Sequence, residues 1–259
     1  MLRSITVLAA LCHAVLAPSA PVLGAERLRS VYAASWLGLP LGRITYDVDY
    51  ENGHFSIVST MATGGVAAIF DDTKFTARAT GMADHQSVRW TTYELDHSYA
   101  KKFRRTQMTV RPTGVEVVIT PRYSNLGDPP ATPGQINAAR DPLSTMLAVA
   151  HLAASRQTCA QRFPVFDGRF RYDLVGADLG RREVHVGDYK GQVLRCRVQY
   201  VPVAGFNEAT REEAPNLPMA EFWLGIDAKG SFAAPVRVAI PTPIGSAVAA
   251  LKTLQVTTP

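Results

Sequence analysis

Apolar and polar residues alternate one for one along much of this chain, and that period of two constrains the fold more than any other feature. Ile44, Tyr46, Val48 and Tyr50 fall on one face of a segment whose other face carries Thr45, Asp47 and Asp49. Phe75, Ala77 and Ala79 repeat the pattern, as do Val115, Val117 and Ile119, then Phe170, Tyr172 and Leu174, then Leu194, Cys196, Val198 and Tyr200. Val236, Val238 and Ile240 stand opposite Arg237 in the same way. Successive side chains of a strand point to opposite faces, so strict alternation predicts sheets with one dry and one wet face, paired mostly antiparallel. One segment changes phase: Val88 and Trp90 are in step, while Tyr93, Leu95, His97 and Tyr99 follow the other parity. An extra residue at Thr91-Thr92 explains the change as a β-bulge, which bends and twists a long strand. Long bulged strands suit a strongly curved sheet, and the prediction is a partly closed barrel or spiral.

Only one strong helix pattern interrupts the strands. Asp141 suits an N-cap and Pro142 the first helical position, and Leu143, Met146, Leu147, Ala150 and Ala154 follow at helical spacing. Val149 and Leu152 widen the apolar stripe, which predicts a deeply buried helix ending near Ser155-Arg156. A shorter helical turn is predicted at 66–70. Residues 121–140 and 204–218 are rich in proline and glycine or charge, and they read as long loops. The expected fold is therefore all-β with one buried helix, a long, antiparallel, strongly curved sheet in a single domain over residues 26–259.

The N-terminal 25 residues point to export. A cationic start at Arg3, an apolar run over 5–17 and a small-residue tail predict a signal peptide cleaved near Gly24 or Ala25. Leu11 precedes Cys12 where a small residue is wanted, which argues against a lipoprotein. Without Arg3 the formal charge of +5 becomes +4, a mildly basic chain suited to anionic envelope surfaces rather than nucleic acid. The expected location is the periplasm, with no membrane-spanning segment in the mature chain. Two cysteines then remain, Cys159 and Cys196, and in an oxidising compartment they read as one disulfide worth about 4 kcal/mol by loop entropy. It would pin the helix exit to the strand carrying Cys196.

The residues hold no nucleophile elbow, phosphate-cradling loop or zinc-protease helix. His54, His85, His97, His151 and His185 lack metal-ligand spacing, and Asp71-Asp72 and Glu212-Glu213 read as solvated charge. The expectation is no catalytic residue, no metal and no cofactor. Lys101, Lys102, Phe103, Arg104 and Arg105 form the sharpest charge run. They read as contact with an anionic lipid or wall polymer, or as a hairpin whose charges discourage edge pairing. Trp36, Trp90 and Trp223 are candidates to line an apolar pocket in the curl, with core packing as their other reading.

Five phrases in order carry a resemblance. They are Leu37-Gly38-Leu39-Pro40-Leu41-Gly42, Arg140-Asp141-Pro142-Leu143-Ser144, Phe166-Asp167-Gly168-Arg169, Phe222-Trp223-Leu224 and Pro241-Thr242-Pro243-Ile244-Gly245-Ser246. Together they resemble the exported bacterial family known as domain of unknown function 3108, over about 32–251. The resemblance implies a periplasmic, β-rich protein and no established activity. A looser, purely architectural likeness is to periplasmic β-spiral envelope-integrity proteins and the half-barrels of lipoprotein sorting. The functional expectation is non-catalytic work in the cell envelope, binding a lipid-like or other apolar ligand in the concavity. The alternative is a protein-interaction module with a fully packed core that grips an envelope protein.

Overall fold

A computed structural model describes residues 26–64, 73–84, 87–99, 101–227 and 233–257. The signal peptide and its cleavage point, the helical turn at 66–70, Asp71-Asp72 and His85 lie outside the described residues. The first half is a meander of seven strands: β1 (Glu26–Trp36), β2 (Leu39–Glu51), β3 (His54–Thr63), β4 (Lys74–Ala83), β5 (Val88–Tyr99), β6 (Lys102–Arg111) and β7 (Gly114–Thr120). Two helices follow, α1 (Pro133–Asn137) and α2 (Pro142–Arg156). A second meander runs through β8 (Arg162–Phe166), β9 (Arg171–Val186), β10 (Tyr189–Ala204), β11 (Ala220–Ile226), β12 (Ala233–Thr242) and β13 (Gly245–Thr257). A short helix, α3 (Glu208–Glu213), interrupts the connection before β11.

The two meanders are joined along one ladder. Sheet order is β7-β6-β5-β4-β3-β2-β1-β13-β12-β11-β10-β9-β8, and every neighbouring pair is antiparallel. The last strand thus closes on the first, while β7 and β8 end the open curl without pairing with each other, and Arg140 makes an isolated parallel bridge to Val165 on the outer edge of β8. Tight turns hold the meander, such as Asn52-Gly53 between β2 and β3, where both residues have positive φ.

Curvature comes from extra residues inserted in single strands. Thr80 pairs with Thr92 and Gly81 with Trp90, so Thr91 is unpaired and the bulge falls where the phase change predicts it. A Cβ on Gly81 would lie 2.2 Å from the Arg89 carbonyl oxygen and 2.6 Å from the Phe55 ring, so only glycine fits beside the bulge. A second extra residue, Val236, stands against Trp223 and Leu224. It corrects the expected phase of β12: Val236 is fully buried, whereas Ile240 is 52% exposed.

Helix α2 begins and ends where its sequence implies. Asp141 is the N-cap, with its Oδ1 accepting from the Ser144 N–H at 2.9 Å. Gln157 ends the helix in the left-handed conformation. Ten of its fifteen residues are buried, because the curl wraps around it. It packs on β3, β4 and β5 to one side and on β8, β11 and β12 to the other. The segments expected to be irregular loops contain α1 and α3, neither with a buried residue. Thr132 and Gln135 cap α1 reciprocally, and Asn207 caps α3, so local side-chain bonds nucleate helices that proline and glycine obscure. The expected single buried helix is α2.

Candidate functional site

Among the described residues a partly open pocket of about 250 Å³ lies between α2 and the concave face of β1, β2, β12 and β13. One wall is a helical stripe: Leu143, Met146, Leu147, Ala150, His151 and Ala154. The facing wall is the apolar face of β2, namely Ile44, Tyr46, Val48 and Tyr50, joined by Leu28 and Tyr32 from β1. Ala233, Ala234 and Ala249 complete it. Alanines recur in the lining, Ala150 and Ala154 from the helix and Ala233, Ala234 and Ala249 from the sheet, and small side chains leave room between the two walls.

Polar groups are few. Glu26, Asp84 and His151 line part of the boundary. The Tyr32 hydroxyl donates to the Pro235 carbonyl at 2.8 Å. The Tyr46 hydroxyl is buried and has no hydrogen-bond partner, a costly state for a polar group. Burial pushes the Tyr46 phenol well above its ordinary pKa and the Tyr32 phenol up to about 12. The cavity is thus a largely apolar container, and the Tyr46 hydroxyl is buried without a partner.

Two carboxylates away from the cavity lining, the fully buried Asp141 and the half-buried Asp167, bind backbone. Asp141 caps α2, and Asp167 takes the backbone N–H groups of Arg169 and Phe170 on Oδ1 at 2.9 and 2.7 Å in the turn after β8. Burial raises both above the usual carboxylate range, Asp141 to about 6. Both therefore hold backbone in place. Cys159 and Cys196 are joined, with Cα atoms 6.2 Å apart, tying the segment after α2 to β10. The Asp178 carboxylate accepts from the Cys159 N–H at 2.8 Å and the Thr158 hydroxyl at 2.6 Å. Cys159, Asp178 and Cys196 cluster closely, but the two sulfurs are committed to each other.

The tryptophans sit elsewhere, each held by its indole N–H. Trp36 donates to the Thr242 hydroxyl at 3.2 Å, Trp90 to the Ala139 carbonyl at 3.1 Å and Trp223 to Glu221 at 2.7 Å. None lines the helix-sheet cavity; Trp90 lines a separate cleft beside Val88, Val110 and Asn137. Trp223 lies between the Arg182 and Arg237 guanidinium groups, 5.7 and 4.8 Å from its ring. The basic run forms the β5–β6 hairpin. Lys101 occupies its turn with positive φ, and Lys102 and Phe103 are exposed. Arg105 grips Asp96 through two bonds of 2.6 and 2.9 Å, while Arg104 donates to the Pro121 carbonyl and stacks 3.8 Å above Tyr123. The run is therefore split, with one arginine neutralised and one folded onto a neighbouring loop. The cavity-lining alanines and the Tyr46 hydroxyl were not singled out by the sequence, because nothing local distinguishes them from core.

This geometry defines a class: β-barrel-like proteins in which an open curl of antiparallel strands wraps one helix. The chain belongs to the family described as "Protein of unknown function (DUF3108)", which it matches over residues 31–252. Its fold is similar to that of a crystal structure titled as a beta-barrel-like protein of domain of unknown function DUF1849 from Brucella abortus. The TM-score is 0.55 at 13% identity, over 91% of this chain and 98% of that one. No curated protein matches the chain.

Proposed function

We propose that this is a non-catalytic protein of the cell envelope, exported to the periplasm, which holds a lipid-like or other apolar ligand in the hollow between α2 and the sheet and so supports envelope integrity. The observation that carries this reading is the 250 Å³ cavity itself. A fully packed core, as the interaction-module alternative requires, would leave no such space. Apolar surface buried there contributes about 25 cal/mol per Å², less the cost of ordering the ligand. The described residues include no helix long and apolar enough to cross a membrane.

Organic extraction of protein purified from the periplasm, followed by mass spectrometry, is expected to release a stoichiometric apolar molecule. Ala150→Phe places a ring in the cavity, so it should abolish that molecule while preserving the fold. A clean extract from the unaltered protein, with one envelope protein co-purifying, would establish the interaction module instead.

A further inference from the structure

A second feature is independent of the interior cavity. Where the sheet fails to close, a groove of about 450 Å³ lies between β7 and the turn after β8, roofed by residues of the 122–131 segment. Its apolar lining includes Val117, Ile119, Leu126 and Phe166. Its charged lining is Arg122 and Arg169, with no carboxylate. The Arg169 guanidinium lies 4.7 Å from the Tyr123 ring and 4.7 Å from the Phe170 ring. Its Nε is buried and donates to nothing.

That arrangement leaves one buried guanidinium donor without an acceptor. Cation–π contact with two rings offsets part of the desolvation of Arg169, but it supplies no acceptor for the N–H groups. The Asp167 carboxylate attracts the guanidinium electrostatically, but its Oδ1 is engaged by the backbone N–H groups of Arg169 and Phe170. Arg104 brings a further positive charge to Tyr123, its Cζ 3.8 Å from that ring, and its own Nε donates to Pro121. A planar fork of donors beside an apolar wall matches a carboxylate or phosphate attached to hydrocarbon, because such a head accepts two parallel bonds while its tail covers Val117 and Ile119.

We propose that this seam groove is a binding site for an anionic amphiphile, a carboxylate or phosphate head held by Arg169 and Arg122 with its hydrocarbon along Val117 and Ile119 on the half-buried face of β7. Isothermal titration of the intact protein tests it, with decanoate, decyl phosphate, decanol and inorganic phosphate as probes. The Ala150→Phe background fills the interior cavity, so a failure here is distinct from a failure of the interior-ligand reading. At least one of decanoate and decyl phosphate should bind about ten-fold or more tightly than decanol and than inorganic phosphate. Arg169→Gln should weaken the preferred probe about ten-fold, the scale of a lost charge-assisted bond. Arg122→Gln, at an exposed position, tests the same point without risk to the fold and should weaken it several-fold. Decanol binding as well as the anions, inorganic phosphate binding as well as the amphiphiles, no binding of any probe, or affinity unchanged in both variants would each overturn the proposal.

Discussion

Asp141 shows how one residue serves the fold at a cost. It is fully buried, its Oδ1 holds the first turn of α2, and its Oδ2 has no partner. Burial raises its carboxyl from 3.8 to about 6, so the folded state binds the proton more tightly than the unfolded chain does. Stability is then highest below about pH 4, falls between pH 4 and 6, and is level above that from this group. The shift corresponds to at most about 3 kcal/mol. Asn keeps the cap without the charge, so Asp141→Asn should be more stable than the parent at pH 7.5 and should flatten the dependence between pH 4 and 6. Urea unfolding at pH 4.5 and 7.5 measures both. An equal loss at the two pH values would mean that the charge carries no penalty. Tyr46 illustrates a different limit at this scale: its face was evident from alternation, but its orphaned hydroxyl depends on what stands across the cavity.

Elements follow their local code closely. Alternation placed the dry face of β2 on the core, and the phase change at Thr91 marked a bulge that the pairing of Thr80 and Gly81 bears out. Deleting Thr91 would force Tyr93, Leu95 and His97 onto the opposite face or drag β5 out of register. Tyr93 is only 4% exposed, so the deletion variant should lose its cooperative thermal transition by circular dichroism. Thr91→Ala keeps the residue count and removes only exposed hydroxyl contacts with Thr80, so it should lower stability by no more than about 1 kcal/mol. A deletion that melts like the parent would show that the bulge does not set the register. Short elements are less legible. In α1, the cap formed by Thr132 and Gln135 outweighs the proline and glycine around it.

At the scale of the molecule, closure rests on contacts between the ends of the chain. β1 pairs with β13, and the Cys159–Cys196 bond joins the segment after α2 to the second meander. The bridged residues are 37 apart in sequence, which corresponds to about 4 kcal/mol of loop entropy removed from the unfolded chain. Reduction should therefore lower stability by about 2–4 kcal/mol, and Cys159→Ala with Cys196→Ala should match the reduced parent. Guanidinium unfolding with and without dithiothreitol checks this. A reduced protein as stable as the oxidised one would assign the clamp no energetic role. The same sheet order leaves β7 and β8 unpaired with each other, and the groove lies between β7 and the turn after β8.

What the residues determined alone was everything with a local cause: the strands through their period of two, the bend at Thr91, the cap and length of α2, and the pairing of the only two cysteines beyond the N-terminal 25 residues. The interior cavity, the true positions of Trp36, Trp90 and Trp223, and the unpartnered Nε of Arg169 were decided by the tertiary structure. Each depends on which distant side chains meet: Ala150 and Ala249 lining one hollow, Tyr46 finding no acceptor, Arg169 reaching Tyr123. Such meetings are set by sheet order and curvature, and neither is written in any short stretch of sequence.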